Sequence, residues 1–262
     1  MKVRVKFTKH GSMKFIGHLD IMRYFQKAIR RSGLDVVYTE GFSPHQIMSF
    51  AAPLGVGLES NGEYMDIEMK TVYEESKMLE DFNKTMAEGI EILNMRKLQD
   101  TAGNAMASVQ GSEYSIYFKK GNEPEFDYVK ALPLFFEKET IQVIKQTKKS
   151  ETQLDLKPYI YQMSIKSINQ IMDKKLDYDN LSDMPVISMT VDSSSSGNIK
   201  PGMVMEAFFK ENNQVLKDYS YQIVREDTYV LKEKNLNLET LTGEQILSYL
   251  IPMEELGEEI HE

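Results

Sequence analysis

The 262-residue sequence predicts an α+β fold: two tandem ferredoxin-like units with antiparallel sheets, followed by a C-terminal helical tail. Three observations predict it. Residues 1–98 alternate strand and helix periods in a β-α-β-β-α-β type order. Residues 112–238 pass through a similar order, and residues 99–111 between them are polar and small.

In the first unit, KVRVKFTK (2–9) alternates with period two, which puts Val3, Val5 and Phe7 on one face of a strand. HLDIMRYFQKAIRRS (18–32) changes to the helical period. Leu19, Met22, Phe25, Ala28 and Ile29 are assigned to its apolar side, and Gly33 is its stop. LDVVYTE (34–40), QIMSFA (46–51) and EYMDIEMK (63–70) read as strands, one of them an extra hairpin strand. YEESKMLEDFNKTMAE (73–88) reads as an acidic amphipathic helix ended by Gly89, and IEILNMRKL (90–98) as the closing strand.

Residues 99–111 are expected to link the units. In the second, SEYSIYFKK (112–120) is a strand, FDYVKALPLFFEKE (126–139) a helix despite Pro133, and TIQVIKQTKK with TQLDLKPYIYQMSIKS a hairpin. Within DLKPYI, Pro158 marks an edge or bulge beside Asp155 and Lys157. Residues 168–184 read as an insertion. VISMTVDSS (186–194) is a strand, KPGMVMEAFFK (200–210) a short helix and YQIVREDTYVL (221–231) a last strand. Residues 239–262 are expected to form an acidic helix or tail, capped by Thr242 with Gln245 three residues on.

Composition narrows the chemistry. With 41% hydrophobic residues the chain has enough apolar material for real cores. It contains no Cys, which excludes disulfides, a thiol nucleophile and any Cys-held zinc or iron–sulfur cluster within this sequence. MKVRVKFTKHG has no apolar run of signal-peptide kind and no stretch is long enough to span a membrane, so the expected location is cytoplasmic with no membrane contact. No metal or cofactor motif is present, and neither is assigned. The net charge of -9 conceals an asymmetry. Residues 1–50 hold nine Lys or Arg against three acids, a net of +6, so the remainder carries -15. Such a division points to one surface that faces a polyanion.

Arg23, Lys27, Arg30 and Arg31 share one face of the 18–32 helix with no acid among them, although like charges at these spacings repel. They are the candidate phosphate-binding face; a merely solvated basic face is the alternative. EGFSPHQIMSFAAPLGVGLES (40–60) is a candidate ligand loop, in which Phe42, Ser43 and His45 sit at a turn. Pro53, Gly55 and Gly57 could there bring backbone N–H groups to a ligand. His18 and Asp20 at the helix start, with His45 and Glu40, are weak candidates for acid–base work, a helix-capping role being the plainer reading. Ser195, Ser196, Gly197 and Lys200 precede the helix that starts with Pro201, a candidate anion pocket that lacks the G-x-x-x-x-G-K-[ST] pattern of a nucleotide loop.

With KFTKHGSMKFIGHLDIMRYFQKAIRRSGL, EGFSPHQIMSFAAPLGVGLES, EYMDIEM, DLKPYI and SSSSGNIKPG, the sequence resembles the uncharacterised radical SAM-linked protein family. The likeness runs over nearly the whole chain and is most specific in the first 70 residues. It differs from the family pattern after Pro44-His45, where Gln46 and Ile47 replace a Pro and a basic residue. In that family the domain stands alone or is fused behind a radical SAM domain, with genes often beside those of a ribonuclease and ribosomal proteins. The resemblance implies a partner that carries the iron–sulfur cluster and a setting in RNA or ribosome metabolism; it supplies no catalytic residue.

These readings lead to an accessory protein that binds structured RNA, or another polyanion, for a radical SAM partner. Two alternatives stand beside it. One is a metal-independent RNA-processing enzyme using His18 or His45, and the other an adaptor that offers its acidic C-terminal segment to a basic partner.

Overall fold

The structure, a computed structural model, describes all residues except 101, 147–150, 169–179, 234–235 and 262. Along the chain run β1 (Lys2–Lys9), α1 (His18–Ser32), β2 (Met48–Phe50), β3 (Glu59–Glu68), α2 (Glu75–Asn83) and β4 (Ile92–Leu98). Then follow α3 (Ala105–Ser108), β5 (Val109–Phe118), α4 (Tyr128–Phe136), β6 (Gln142–Gln146), β7 (Glu151–Asp155), β8 (Ile160–Lys166) and β9 (Val186–Asp192). The chain ends with α5 (Pro201–Glu211), β10 (Tyr221–Leu231), α6 (Gly243–Ser248), β11 (Leu250–Pro252) and β12 (Gly257–Glu258). The architecture is mixed α+β. It divides into one unit of Met1–Gln110, Arg225–Leu231 and Ile251–Glu262, and another of Gly111–Val224 and Lys232–Leu250.

In the first unit the strand order is β12-β4-β1-β3-β10, with β2 also on β3. β1 pairs antiparallel with both β3 and β4, so the period-two pattern of 2–9 divides its residues between two faces. Val3, Val5 and Phe7 are fully buried against the helices. Phe25 of α1 meets Phe7, Phe50 and Phe82 at ring-centroid distances of 4.7, 5.7 and 6.2 Å, which anchors the helix on the sheet. On the other face, the register sets Arg4 opposite Asp66 and Lys6 opposite Tyr64. Arg4 Nε and Nη2 reach the Asp66 carboxylate at 2.8 and 3.0 Å, and Nη1 donates to the Met253 carbonyl at 3.1 Å. Lys6 Nζ lies 2.8 Å from both Asp227 and Glu254.

The second unit has the order β10-β5-β9-β8, with β6 and β7 as a separate hairpin. Its α4 and α5 pack through Phe135, Phe208 and Phe209, while Phe118 of β5 meets Tyr128 and Phe209.

Several expectations are corrected. Residues 34–40 form only the isolated bridges Val36–Met69 and Tyr38–Gln46, because β2 already occupies β3 at residues 65–67. The acidic helix stops at Asn83, whose side chain accepts from Ile92 N–H and donates to Ile92 carbonyl, tying the helix end to β4. The expected linker is partly core: Asn104 caps α3, and Ala105 and Val109 are buried with Tyr64 and Met253. The C-terminal helical tail is not formed. The Thr242–Gln245 capping box is present, but it opens a helix of only six residues; beyond it β12 pairs with β4 and Ile260 enters the core. Most of the supposed insertion, 169–179, lies outside the described residues.

Candidate functional site

The nine cations of residues 1–50 separate into two sets. Arg4 and Lys6 are consumed by Asp66, Asp227 and Glu254; Lys14 pairs with Glu59 at 2.8 Å; Lys9 is buried. Lys2 bonds the Ala102 carbonyl at 3.1 Å. What remains is α1: Arg23, Lys27, Arg30 and Arg31 are all exposed. Arg23 meets Asp20 at 3.3 Å, an exposed i,i+3 pair of the kind worth about 0–1 kcal/mol. Arg31 donates to the Thr85 carbonyl at 3.1 Å. Among the described residues no carboxylate pairs with Lys27, Arg30 or Arg31. The acids of α2 are engaged elsewhere: Glu75 with Arg96, and Glu80 and Asp81 with Lys77 and Lys84.

The apolar seam of α1 is Ile21, Phe25, Ala28 and Ile29. Leu19, placed on that seam from the sequence, is 67% exposed. At about 100° per residue it lies ~20° from Arg30 and ~40° from Arg23, so it belongs to the basic face.

Residues 39–45 form a braced loop. Thr39 N–H donates to His45 carbonyl at 2.9 Å, His45 N–H donates to Thr39 Oγ1 at 3.1 Å, and His45 Nδ1 lies 3.1 Å from the same hydroxyl. Gly41 holds φ +110°, which a side chain would strain. Within the brace Ser43 and His45 are exposed and Phe42 is wholly in solvent, at 109% of its reference area. Gln46 turns inward, donating to Tyr38 Oη at 3.3 Å.

His18 and Asp20 do not join His45 or Glu40 in any contact among the described residues. His18 packs edge-on against Phe50 at 5.5 Å and walls a cavity of about 20 Å³ with Lys9, Glu63 and the turn of Ala52, Pro53 and Leu54. Glu63 is paired with Arg225 at 2.8 Å, and Arg225 also donates to the Ala52 carbonyl at 2.8 Å. Burial pushes the Glu63 carboxyl above its ordinary range despite Arg225 and Ser60, and pushes the Lys9 ammonium below the usual lysine range despite Glu63. Gly57 of the 40–60 segment donates its N–H to the Lys14 carbonyl at 2.8 Å. Sequence reasoning missed this cluster because Lys9, Glu63 and Arg225 are far apart in the chain; the one signal for it was charge inside strand-period segments.

In the second unit, the loop of Ser195, Ser196, Gly197 and Lys200 is organised by an internal anion. Ser194 N–H and Oγ donate to Asp192 at 2.8 and 2.7 Å, Gly197 N–H donates to Ser194 Oγ at 3.3 Å, and Lys200 Nζ lies 2.8 Å from Asn198. A Cβ on Gly197 would fall 2.3 Å from Asp192 Oδ1. The loop therefore closes on its own carboxylate. Lys157 bonds the Phe136 carbonyl and Asp155 accepts from Ile141 and Lys157 N–H, so both charges of DLKPYI hold turns. A larger groove of about 750 Å³ lies among α4, α5 and the β6–β7 hairpin, with Lys138 and Glu211 ion-paired at its wall.

Among the described residues, no three His, Asp or Glu are grouped to hold a metal, and no helix is long and apolar enough to cross a membrane. A family model described as "Uncharacterized protein conserved in bacteria (DUF2344)" matches residues 2–201. No curated protein matches. A solved structure titled "Crystal Structure of a Cbf5-Nop10-Gar1 Complex" is similar with a TM-score of 0.42 and 8% identity. That likeness covers 86% of this chain and 48% of the other, so this chain spans about half the length of the one it matches.

Proposed function

We infer that this chain, which belongs to the family of uncharacterized proteins conserved in bacteria (DUF2344), is a non-catalytic binder of RNA that presents its ligand to a radical SAM partner. The observation that carries this reading is the basic face of α1. Its four cations are exposed, and the only carboxylate paired with any of them among the described residues is the exposed Asp20. A fold that matches Arg4, Lys6 and Lys14 to acids on β3, on β10 and near the C-terminus, while leaving this row in solvent, keeps positive charge for an external polyanion. Leu19 on that face and Phe42 on its braced loop add apolar surface of the kind that stacks on unpaired bases. The partner rests on the sequence resemblance and on the absence of Cys, since this chain can offer no thiolate to an iron–sulfur cluster.

The strand orders support the finer fold reading. β4-β1-β3-β2 in one unit and β10-β5-β9-β8 in the other, each with two helical crossovers, fit a ferredoxin-like arrangement used twice. The adaptor alternative loses ground because Glu254 is bonded to Lys6 and Asn94, and Glu259 pairs with Arg96 at 3.6 Å. The enzyme alternative lacks a joined acid–base pair, His18 facing the cavity and His45 the solvent-exposed loop.

Fluorescence anisotropy with a structured RNA tests the reading. Arg23→Glu with Lys27→Glu is expected to weaken binding by roughly ten- to a hundredfold at moderate salt while far-UV circular dichroism stays unchanged. Affinity equal to that of the unsubstituted protein across a salt series contradicts it.

A further inference from the structure

We propose that the cavity at the start of α1, walled by Lys9, His18, Glu63 and the Ala52–Leu54 turn, is a subsite for one anionic oxygen of a phosphate group. Its volume of about 20 Å³ sets the size of the guest. A water-sized group needs ~10–15 Å³, so one oxygen enters and the rest of the ligand stays at the mouth.

Charge sets its sign. Of the residues lining it, Lys9, His18 and Glu63 are charged or titratable, and Arg225 pairs with Glu63. Glu63 and Arg225 neutralise each other. Lys9 is buried, yet among the described residues its ammonium has one acceptor, the Ile16 carbonyl at 2.8 Å, and no carboxylate within ion-pair distance. An ammonium carries three donors, and the Glu63 carboxylate that attracts it is bonded to Arg225 instead, so burial disfavours this cation more than its surroundings stabilise it. Two events relieve it: a proton leaves, which agrees with the lowered pKa, or an anion arrives. The N-terminal end of α1, a helix of 15 residues, adds positive potential at the same place. The choice of phosphate over carboxylate rests on the RNA reading, since the exposed cations of α1 lie on the other side of the helix from Ile21, which lines this cavity.

Sulfate, a dianion throughout the working pH range, stands in for the phosphate oxygens. It is titrated against chloride at constant ionic strength, with thermal unfolding as the readout. The expected result is a saturable rise in melting temperature. Lys9→Met removes a buried charge and, against that, the donor to the Ile16 carbonyl, so its melting temperature should stay close to that of the unsubstituted protein, and it should bind sulfate roughly ten- to a hundredfold more weakly. No saturable response in the unsubstituted protein, or an undiminished one in Lys9→Met, overturns the proposal. Should Lys9→Met not fold, the pH series decides: the sulfate response must have weakened by the ordinary lysine value of 10.5 as Lys9 loses its proton, and an undiminished response there refutes it.

A second arm separates the sources of the phosphate and rests on the RNA reading. It compares 5′-phosphorylated with 5′-hydroxyl RNA of one sequence. A preference for the phosphorylated end that disappears in Lys9→Met assigns the subsite to an RNA terminus. Equal affinities beside an intact sulfate response assign it to free phosphate. Loss of RNA binding in the α1 variants with the sulfate response intact keeps the two conclusions apart.

Discussion

Asp66→Ala is the most informative structural perturbation, because it asks whether the inward cations of β1 are matched as described. The pair is 1% and 3% exposed, and two charge-assisted bonds of 2.8 and 3.0 Å join it. Removing the carboxylate leaves a guanidinium whose described acceptor is the Met253 carbonyl at 3.1 Å. Breaking a buried pair by deleting one partner costs about 3–5 kcal/mol, a large part of an ordinary domain's 5–15 kcal/mol. Arg4→Met with Asp66→Leu removes both charges and should recover most of that loss. The Met253 carbonyl loses its donor in the double variant, so a residual cost of about 1–3 kcal/mol is expected. Urea unfolding followed by far-UV circular dichroism and tyrosine fluorescence suits a chain with 14 Tyr and no Trp. A loss below about 1 kcal/mol for Asp66→Ala, or a double variant no better than the single one, would refute the matched-charge argument.

Three further outcomes follow from the same structure. Burial alone would raise the Glu59 pKa, but bonds from His10 and Lys14 hold it below the ordinary glutamate value; its contribution to stability is therefore present above about pH 4.5 and lost as pH falls through the lowered value. Glu59→Gln should flatten that acid-side decline, which a set of urea midpoints against pH checks. Gly89→Ala places a Cβ 2.4 Å from the His10 carbonyl oxygen at φ +92°, so a loss of about 1–3 kcal/mol is expected in thermal unfolding, and a neutral result contradicts the close approach of the two segments. Phe42→Ala should leave stability within about 0.5 kcal/mol and weaken RNA binding by about 1–3 kcal/mol if a base stacks on that ring, both measurable on one preparation.

Much of the fold was legible where one period governed a segment. Residues 18–32 and 221–231 form a helix and a strand over the ranges read from the sequence. Residues 34–40 were not legible, because their pairing depends on how much of β3 is left by β2, a matter of competition rather than propensity. The tail failed for a related reason. Its capping box is real, but Ile260 finds a core and β12 an edge strand, and both contacts are long-range. Of the candidate site, the basic face of α1 is readable from spacing alone, while Leu19 is apolar by type but sits at the angle of Arg30 and is exposed. The Lys9–Glu63–Arg225 cluster joins residues up to 216 positions apart, and the Ser195–Lys200 loop looked like an anion pocket because its own anion, Asp192, lies just before it.

The salt dependence of RNA binding tests the outward-facing charge of α1 most directly. With a single-stranded RNA as the ligand, each neutralised phosphate contributes about -0.7 to the slope of log K against log salt, so four contacts predict a slope near -3. Replacing Lys27 and Arg30 by Gln should bring that slope to about -1.4 with unfolding midpoints unchanged. A slope that is the same with and without these two cations contradicts the assignment of α1 as the phosphate-binding face.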